Sequence, residues 1–200
     1  CYLGLYSMQH RGQEGAGIVS VANDQMQIHR GMGLVADVFP SEALANLKGQ
    51  SAIGHTRYAT HGAKNSQNLQ PFYANFADNS FAIAHNGNLV NADGLRESLE
   101  KKGAIFSSSS DTEVILHLVA QDRSKKSLLD KFKDALKEVE GAYSLVVLSL
   151  NSLIAVRDPA GVRPLALGKI GDGYVVASET CAFDLIAVSY THLRAHETRY

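Results

Sequence analysis

Phe72-Tyr73-Ala74-Asn75-Phe76-Ala77-Asp78-Asn79-Ser80-Phe81-Ala82-Ile83-Ala84-His85-Asn86-Gly87-Asn88 reads as a β-hairpin that ends in polar residues. Phe72–Phe76 and Phe81–His85 are short aromatic and apolar runs, and Asp78-Asn79 between them carries turn chemistry. Upstream, Gly17–Val21 and Met26–His29 form a second pair of strands joined across Asn23-Asp24, and Ser51–Tyr58 is strand-like. Ser41 is the expected N-cap of a short helix ending at Gly49. The opening stretch has Cys1, Leu5 and Met8 at i, i+4 and i+7, an apolar helical stripe stopped by Gly12.

Downstream the period becomes helical. Leu95 and Leu99 mark one helix ending at Gly103, and Ser110-Asp111-Thr112-Glu113 fits a capping box opening the next. Ser127–Glu138 is amphipathic through Leu128, Leu129, Phe132 and Leu136. After Gly141 strands return at Ala142–Leu150, Leu153–Val156, Leu165–Lys169 and Tyr174–Ala177. Hairpins on both sides of a helical middle imply an α+β fold of mostly antiparallel sheet with segregated helices. Residues 1–187 are expected to form one domain. Residues 188–200, with Thr191-His192-Leu193-Arg194-Ala195-His196-Glu197, lack strand period and turn chemistry and are expected to be a tail foreign to it.

Two hundred residues suffice for a sizeable core, and a formal charge of −1 gives no electrostatic reason to expect nucleic acid or an anionic membrane as partner. No apolar run reaches the ~18 residues of a membrane span. Cys1 and Cys181 are the only cysteines, which indicates neither a disulfide framework nor a zinc site, and the expected setting is cytoplasmic. His192 and His196 share a helical spacing but lack the glutamate of an H-E-x-x-H arrangement, so no metal site is expected.

Four segments concentrate polar chemistry: Gln9–Glu14, His55–Gly62, His85–Asn88 and Ser109–Glu113. Each has an ordinary explanation alone. Arg57 at a strand end reads as a rim charge, Asn86-Gly87 as a type I′ turn, and Asp111 as charge at a helix N-terminus. Together with Gly141-Ala142-Tyr143, Arg157–Leu165 and Ala177–Thr180, in this order, they resemble the class II glutamine amidotransferase domain of the amidophosphoribosyltransferase family. The resemblance runs from Tyr2 to about Ala187. Sugar-phosphate aminating relatives, such as the glutamine–fructose-6-phosphate aminotransferases, share several elements. They carry tryptophan where this chain has Tyr58, and this chain has no tryptophan.

The resemblance implies an N-terminal-nucleophile hydrolase fold, a four-layer αββα sandwich of two antiparallel sheets between helical layers. It implies hydrolysis of glutamine to glutamate and ammonia, with the ammonia used by a phosphoribosyltransferase domain to make 5-phosphoribosylamine in purine synthesis. Arg57 would hold the substrate carboxylate, Asp111 its ammonium, and Asn86 with the Gly87 N–H the oxyanion; Thr60 and His61 would line the pocket. Arg11 and Arg163 are equally ion-pair partners or substrate contacts. No cofactor is implied for this domain; Mg2+ and an iron–sulfur cluster would belong to a full-length, homo-oligomeric parent.

The family's nucleophile is a cysteine opening a strand of the Cys-Gly-Val type. Cys1 is instead followed by Tyr2-Leu3-Gly4-Leu5-Tyr6, the start of a helix. Two readings of Cys1 follow, the catalytic nucleophile or a helix residue facing the core. The apolar stripe favours the second, in a fragment lacking the domain's first strand, the phosphoribosyltransferase domain and, on its own, activity.

Overall fold

A computed structural model of the protein describes residues 1–58, 66–76, 79–186 and 189–192. β1 (Gly15–Ala22) and β2 (Gln25–Met32) form a hairpin whose turn residues Asn23 and Asp24 have φ of 51° and 57°, the left-handed pair of a type I′ turn. β3 (Ser51–Arg57) pairs with the other side of β1, giving the order β2-β1-β3. Side-chain alternation divides this sheet's faces. Ala16 and Ile18 pack outward against Leu5 of α1 (Tyr2–Ser7), Val35 and Val38 of α2 (Val35–Val38), and Phe39. Val19 and Ile53 face the other way, onto Ala82, Ala84 and Leu148 of the second sheet.

That second sheet has the order β4-β5-β6-β7, from β4 (Phe72–Phe76), β5 (Asn79–Leu89), β6 (Gly141–Ser149) and β7 (Leu153–Arg157). All its pairings are antiparallel. Its outer face presents Phe81, Ile83, Leu89, Tyr143, Leu145 and Val147. These pack on Ile115, Leu116 and Val119 of α5 (Thr112–Gln121) and on Phe132 and Ala135 of α6 (Leu128–Glu138). Leu95 of α4 (Ala92–Lys101) adds to this cluster. Phe81 meets Phe76 and Phe132 edge-on at 5.8 and 5.0 Å. The layers are therefore helices, sheet, sheet, helices, the αββα sandwich expected from the sequence.

The sheet content differs in one respect. β8 (Ala166–Ile170), β9 (Gly173–Ala177) and β10 (Ser189–His192) form a third sheet, ordered β10-β8-β9. It packs with Ala182 and Phe183 of α7 (Cys181–Asp184), and Met8 touches both this cluster and that around Leu5. Residues 189–192, inside the stretch set apart in the sequence, pair along β8.

Three local expectations are corrected. Asn86-Gly87 is no turn: both residues lie inside β5, opposite Ser144 and Tyr143. The helix after Ser110 has no capping box, because Glu113 turns back onto the N–H and hydroxyl groups of Ser107 and Ser108 at 2.6–2.8 Å. Ser41 opens α3 (Ser41–Asn46) as its first residue, with Pro40 as the N-cap. Ser127, by contrast, caps α6, accepting from the Asp130 N–H at 3.2 Å.

Candidate functional site

A polar cavity of about 600 Å³ opens where the end of β3 meets β5. Gly54–Arg57 and His85–Asn88 line it, with Gln70, Ser110, Arg163 and Ser178 around the rim. A shallower recess of about 420 Å³ shares Gly87, Asn88 and Ser110 with it and contains Asp111. Strand ends and a helix start thus converge as the sequence implied.

Arg57 is the last residue of β3, and its carbonyl accepts from the Glu14 N–H at 3.2 Å. Its side chain is largely buried and faces the cavity wall. Nε lies 3.6 Å from Glu14 Oε2, outside good hydrogen-bond geometry, and has no hydrogen-bond partner among the described residues. A buried guanidinium nitrogen without an acceptor is costly unless something else supplies one.

Asn86 follows Ala82 and Ala84 in the alternation of β5 and so faces the other sheet; its Nδ2 donates to Ser178 Oγ at 3.3 Å. Gly87 permits a backbone approach that no side chain would: a Cβ there would stand 2.1 Å from Ala142 O and 2.8 Å from His85 Nε2. No side chain among the described residues accepts from the Gly87 N–H.

Asp111 precedes α5. Its Oδ2 accepts from the Leu89 N–H at 2.9 Å, while Oδ1 lies 3.4 Å from His85 Nδ1. Burial pushes its carboxyl upward, but the His85 hydrogen bond and charge, with the Leu89 and Thr112 N–H groups, outweigh it and hold the group below the usual carboxylate range. It is an anion at neutral pH.

Two histidines form the floor. His55 Nε2 lies 3.2 Å from His85 O, joining the two sheets. Burial, then the neighbouring His85, Arg57 and Arg11 charges, push its pKa down to about 4 against one opposing backbone bond, so the ring is neutral. With the carbonyl as acceptor, Nε2 carries the proton and Nδ1 is left buried without a partner among the described residues. His85 Nδ1 lies 3.0 Å from Thr112 Oγ1.

Cys1 departs from the expected core position. It stands at the N-cap of α1 and is exposed, while Leu5 alone in that helix is fully buried. Its Sγ turns inward, 2.8 Å from where a Cβ on Gly54 would be. Neither cysteine is among the residues lining the cavity. Thr60 and His61 lie outside the described residues. Arg11 and Arg163 both line the cavity, and Arg11 also forms an ion pair with Glu179.

His10, Glu179 and Cys181 place three potential metal-ligand atoms within 4.8 Å of one another. Both Glu179 oxygens are already engaged, Oε1 by Arg11 and Oε2 by His10 at 2.8 Å. Burial and the Glu179 carboxylate push the Cys181 thiol up, favouring its neutral form. Glu179 instead pairs with Arg11 and His10, joining the segment after α1 to that after β9. Gln70, Ser178, Glu179 and Gly12 went unrecognised as individual site residues in the sequence; only Pro71 after Gln70 hinted at a fixed segment.

A family model described as a glutamine amidotransferase domain matches residues 55–184. The amidophosphoribosyltransferase of Bacillus subtilis is 48% identical over 190 residues, covering 94% of this chain and 40% of that protein. The chloroplastic amidophosphoribosyltransferase 2 of Arabidopsis thaliana is 50% identical over 192 residues, covering 95% of this chain and 34% of that protein. The solved structure of glutamine phosphoribosylpyrophosphate amidotransferase from B. subtilis, complexed with ADP and GMP, superposes with a TM-score of 0.89 at 46% identity, covering 95% of this chain and 41% of that one. The chain thus spans 40% or less of the length of these two curated relatives.

Proposed function

Because this chain belongs to the glutamine amidotransferase family, we propose that its cavity binds L-glutamine and presents the side-chain amide for hydrolysis to glutamate and ammonia. The observation that carries this reading is the convergence of Arg57, whose buried Nε has no acceptor among the described residues, an ionised Asp111 and the Asn86–Gly87 donors around two recesses that share lining residues. Arg57 pairs with the α-carboxylate, where a planar fork matches two oxygens. Asp111 pairs with the α-ammonium from the adjoining recess, and Thr60 and His61 complete the pocket.

With the head group held at both charges, the amide carbonyl is directed toward β5. Asn86 Nδ2 and the Gly87 N–H then stabilise the oxyanion as a thiolate adds; such donors are each worth about 2.7–4 kcal/mol. The amide nitrogen takes up the proton that the thiol gave up and departs as ammonia when the tetrahedral intermediate collapses to a thioester, from which water frees glutamate and returns the thiol. The ammonia passes to a phosphoribosyltransferase domain of a homo-oligomeric parent, which makes 5-phosphoribosylamine. Mg2+ belongs with that domain's pyrophosphate substrate. An iron–sulfur cluster needs about four thiolates, and two cysteines do not supply them, so this chain does not hold one alone.

A second reading is glutamine binding without turnover, favoured by Cys1, which is not itself among the cavity-lining residues although its sulfur lies beside one of them, Gly54. Calorimetric titration with glutamine and an ammonia-release assay separate the two. Binding lost in Arg57→Ala, with folding intact, supports the site, and unchanged binding overturns it. Ammonia release abolished by Cys1→Ala would make Cys1 the nucleophile; binding with no release selects the second reading.

A further inference from the structure

β5 outruns its neighbour. The β4–β5 pairing extends only from Phe76↔Asn79 to Phe72↔Ile83, yet β5 continues to Leu89. The β5–β6 ladder is extended by Val90 N–H to Glu140 O at 2.8 Å, so strand alternation directs the N–H groups of residues 84, 86 and 88 toward β6. Those of residues 85, 87 and 89 face the edge that β4 has left.

Side chains occupy that edge in place of a strand. The His85 N–H donates to Gln70 Oε1 at 2.7 Å, and the Leu89 N–H to Asp111 Oδ2 at 2.9 Å. His55 Nε2 meets the His85 carbonyl. Gly87 alone of the three keeps an N–H that no described side chain takes. Gln70 sits two residues before β4, and its side-chain carbonyl stands where the next backbone acceptor of that strand would be.

Gln70 is itself held from three directions. Its Nε2 donates to Thr112 Oγ1 at 3.4 Å, the same hydroxyl that meets His85 Nδ1. Arg30 donates to the carbonyls on both sides of it, Leu69 O at 2.9 Å and Pro71 O at 3.2 Å. Its own carbonyl lies so close to β1 that a Cβ on Gly17 would stand 2.1 Å away. Gln70 is buried, and its flanks and both ends of its side-chain amide are committed.

We propose that Gln70 is a positioning residue for the Gly87 N–H: it ends the β-ladder with a side chain and so fixes the edge of β5 while leaving that one donor open. The use of this donor on a glutamine oxygen rests on the function proposed above. The fixing of the edge does not, and the two are read by separate measurements.

The test compares the whole chain with Gln70→Met, which keeps the length and removes both hydrogen bonds, and Gln70→Glu, which keeps the acceptor. Amide exchange and chemical shifts of His85, Gly87 and Leu89 are read by NMR, with thermal melts to show that each variant is folded. Gln70→Met is expected to speed His85 exchange about tenfold, the equivalent of one neutral hydrogen bond, and to move the Gly87 resonance. Gln70→Glu is expected to restore both. A folded Gln70→Met with His85 protection and the Gly87 resonance unchanged overturns the proposal. Should Gln70→Met fail to fold, Gln70→Asn serves instead, since its shorter amide draws the acceptor back from the His85 N–H, which must speed His85 exchange if Gln70 positions it and leave it protected if not. In the second arm, glutamine is titrated into the original chain. Binding that weakens about tenfold in Gln70→Met and recovers in Gln70→Glu extends the proposal to the ligand. No binding by the original chain overturns the glutamine reading and leaves the exchange result to decide the role of Gln70.

Discussion

Gly12 lies flat against the backbone of Arg57: a Cβ on Gly12 would stand 2.5 Å from the Arg57 carbonyl carbon and 2.8 Å from its nitrogen. The turn after α1 therefore seats the end of β3, and with it the guanidinium of the site. Gly12 is extended, with φ of −174°, so its requirement is space and not conformation. Gly12→Ala must displace backbone and not a flexible side chain. We expect a loss of about 2–3 kcal/mol in urea unfolding, with weaker glutamine binding in the fraction that folds. Unchanged stability would show that the two segments separate freely.

Arg57 and Asp111 differ in what they leave behind when changed. Asp111→Asn keeps an oxygen for the Leu89 N–H but loses the charge, so stability should shift little while glutamine affinity falls roughly 10–100-fold. Arg57→Lys keeps a charge but loses the fork, and a smaller drop than in Arg57→Ala is expected. Calorimetry on the three variants checks the order. Equal affinities in Arg57→Lys and the parent chain would argue against a two-oxygen contact.

Stability should depend on His55 in mild acid. The folded ring has a pKa of about 4 against an unperturbed 6.5, so the unfolded chain takes up this proton first as pH falls. The contribution is complete above about pH 6.5 and declines toward pH 4, by about 3 kcal/mol over that window. Asp111 and Glu113, held below the usual carboxylate range, add their losses further down. Urea midpoints from pH 7 to 4 should fall in the parent chain and fall less in His55→Gln. Parallel slopes would place the acid sensitivity elsewhere.

Glu179 controls the thiol beside it. The Cys181 pKa is raised by burial first and by Glu179 second. In a Cys1→Ser background, Glu179→Gln should speed alkylation of Cys181 near pH 8 by raising its thiolate fraction. The same variant removes ion pairs to Arg11 and His10 in a partly exposed setting, so stability should drop by only about 0.5–1 kcal/mol, less in high salt. An unchanged alkylation rate would leave burial and the Asp184 charge as the causes.

The layers were legible in the sequence and the site only partly. Phe81, Ile83 and Leu145 sit in regular alternation, and burial on one face enforces that period directly. The ends of elements were harder. Asn86-Gly87 carries strong turn chemistry, yet nine consecutive pairings with β6 keep it in the strand. Glu113 sits at a capping-box spacing but reaches back past Ser110 to Ser107 and Ser108, which offer four donors. Gln70 had no local signal, because its role is created by His85, 15 residues away, and by Gly17 and Arg30 on the other sheet. Cys1 was placed in the core by a stripe whose first position falls on the helix end, where half the surroundings are solvent.

Arg30 and Gly17 belong to the β1–β2 hairpin, while the residues they anchor lead into β4 and the other sheet. The pocket is thus an assembly that exists only once both sheets have docked. In folding terms it is a late-forming element, and any species with one sheet formed has no affinity for a ligand of the complete site. Such a ligand would act as a one-sided ratchet, slowing separation of the sheets without hastening their formation.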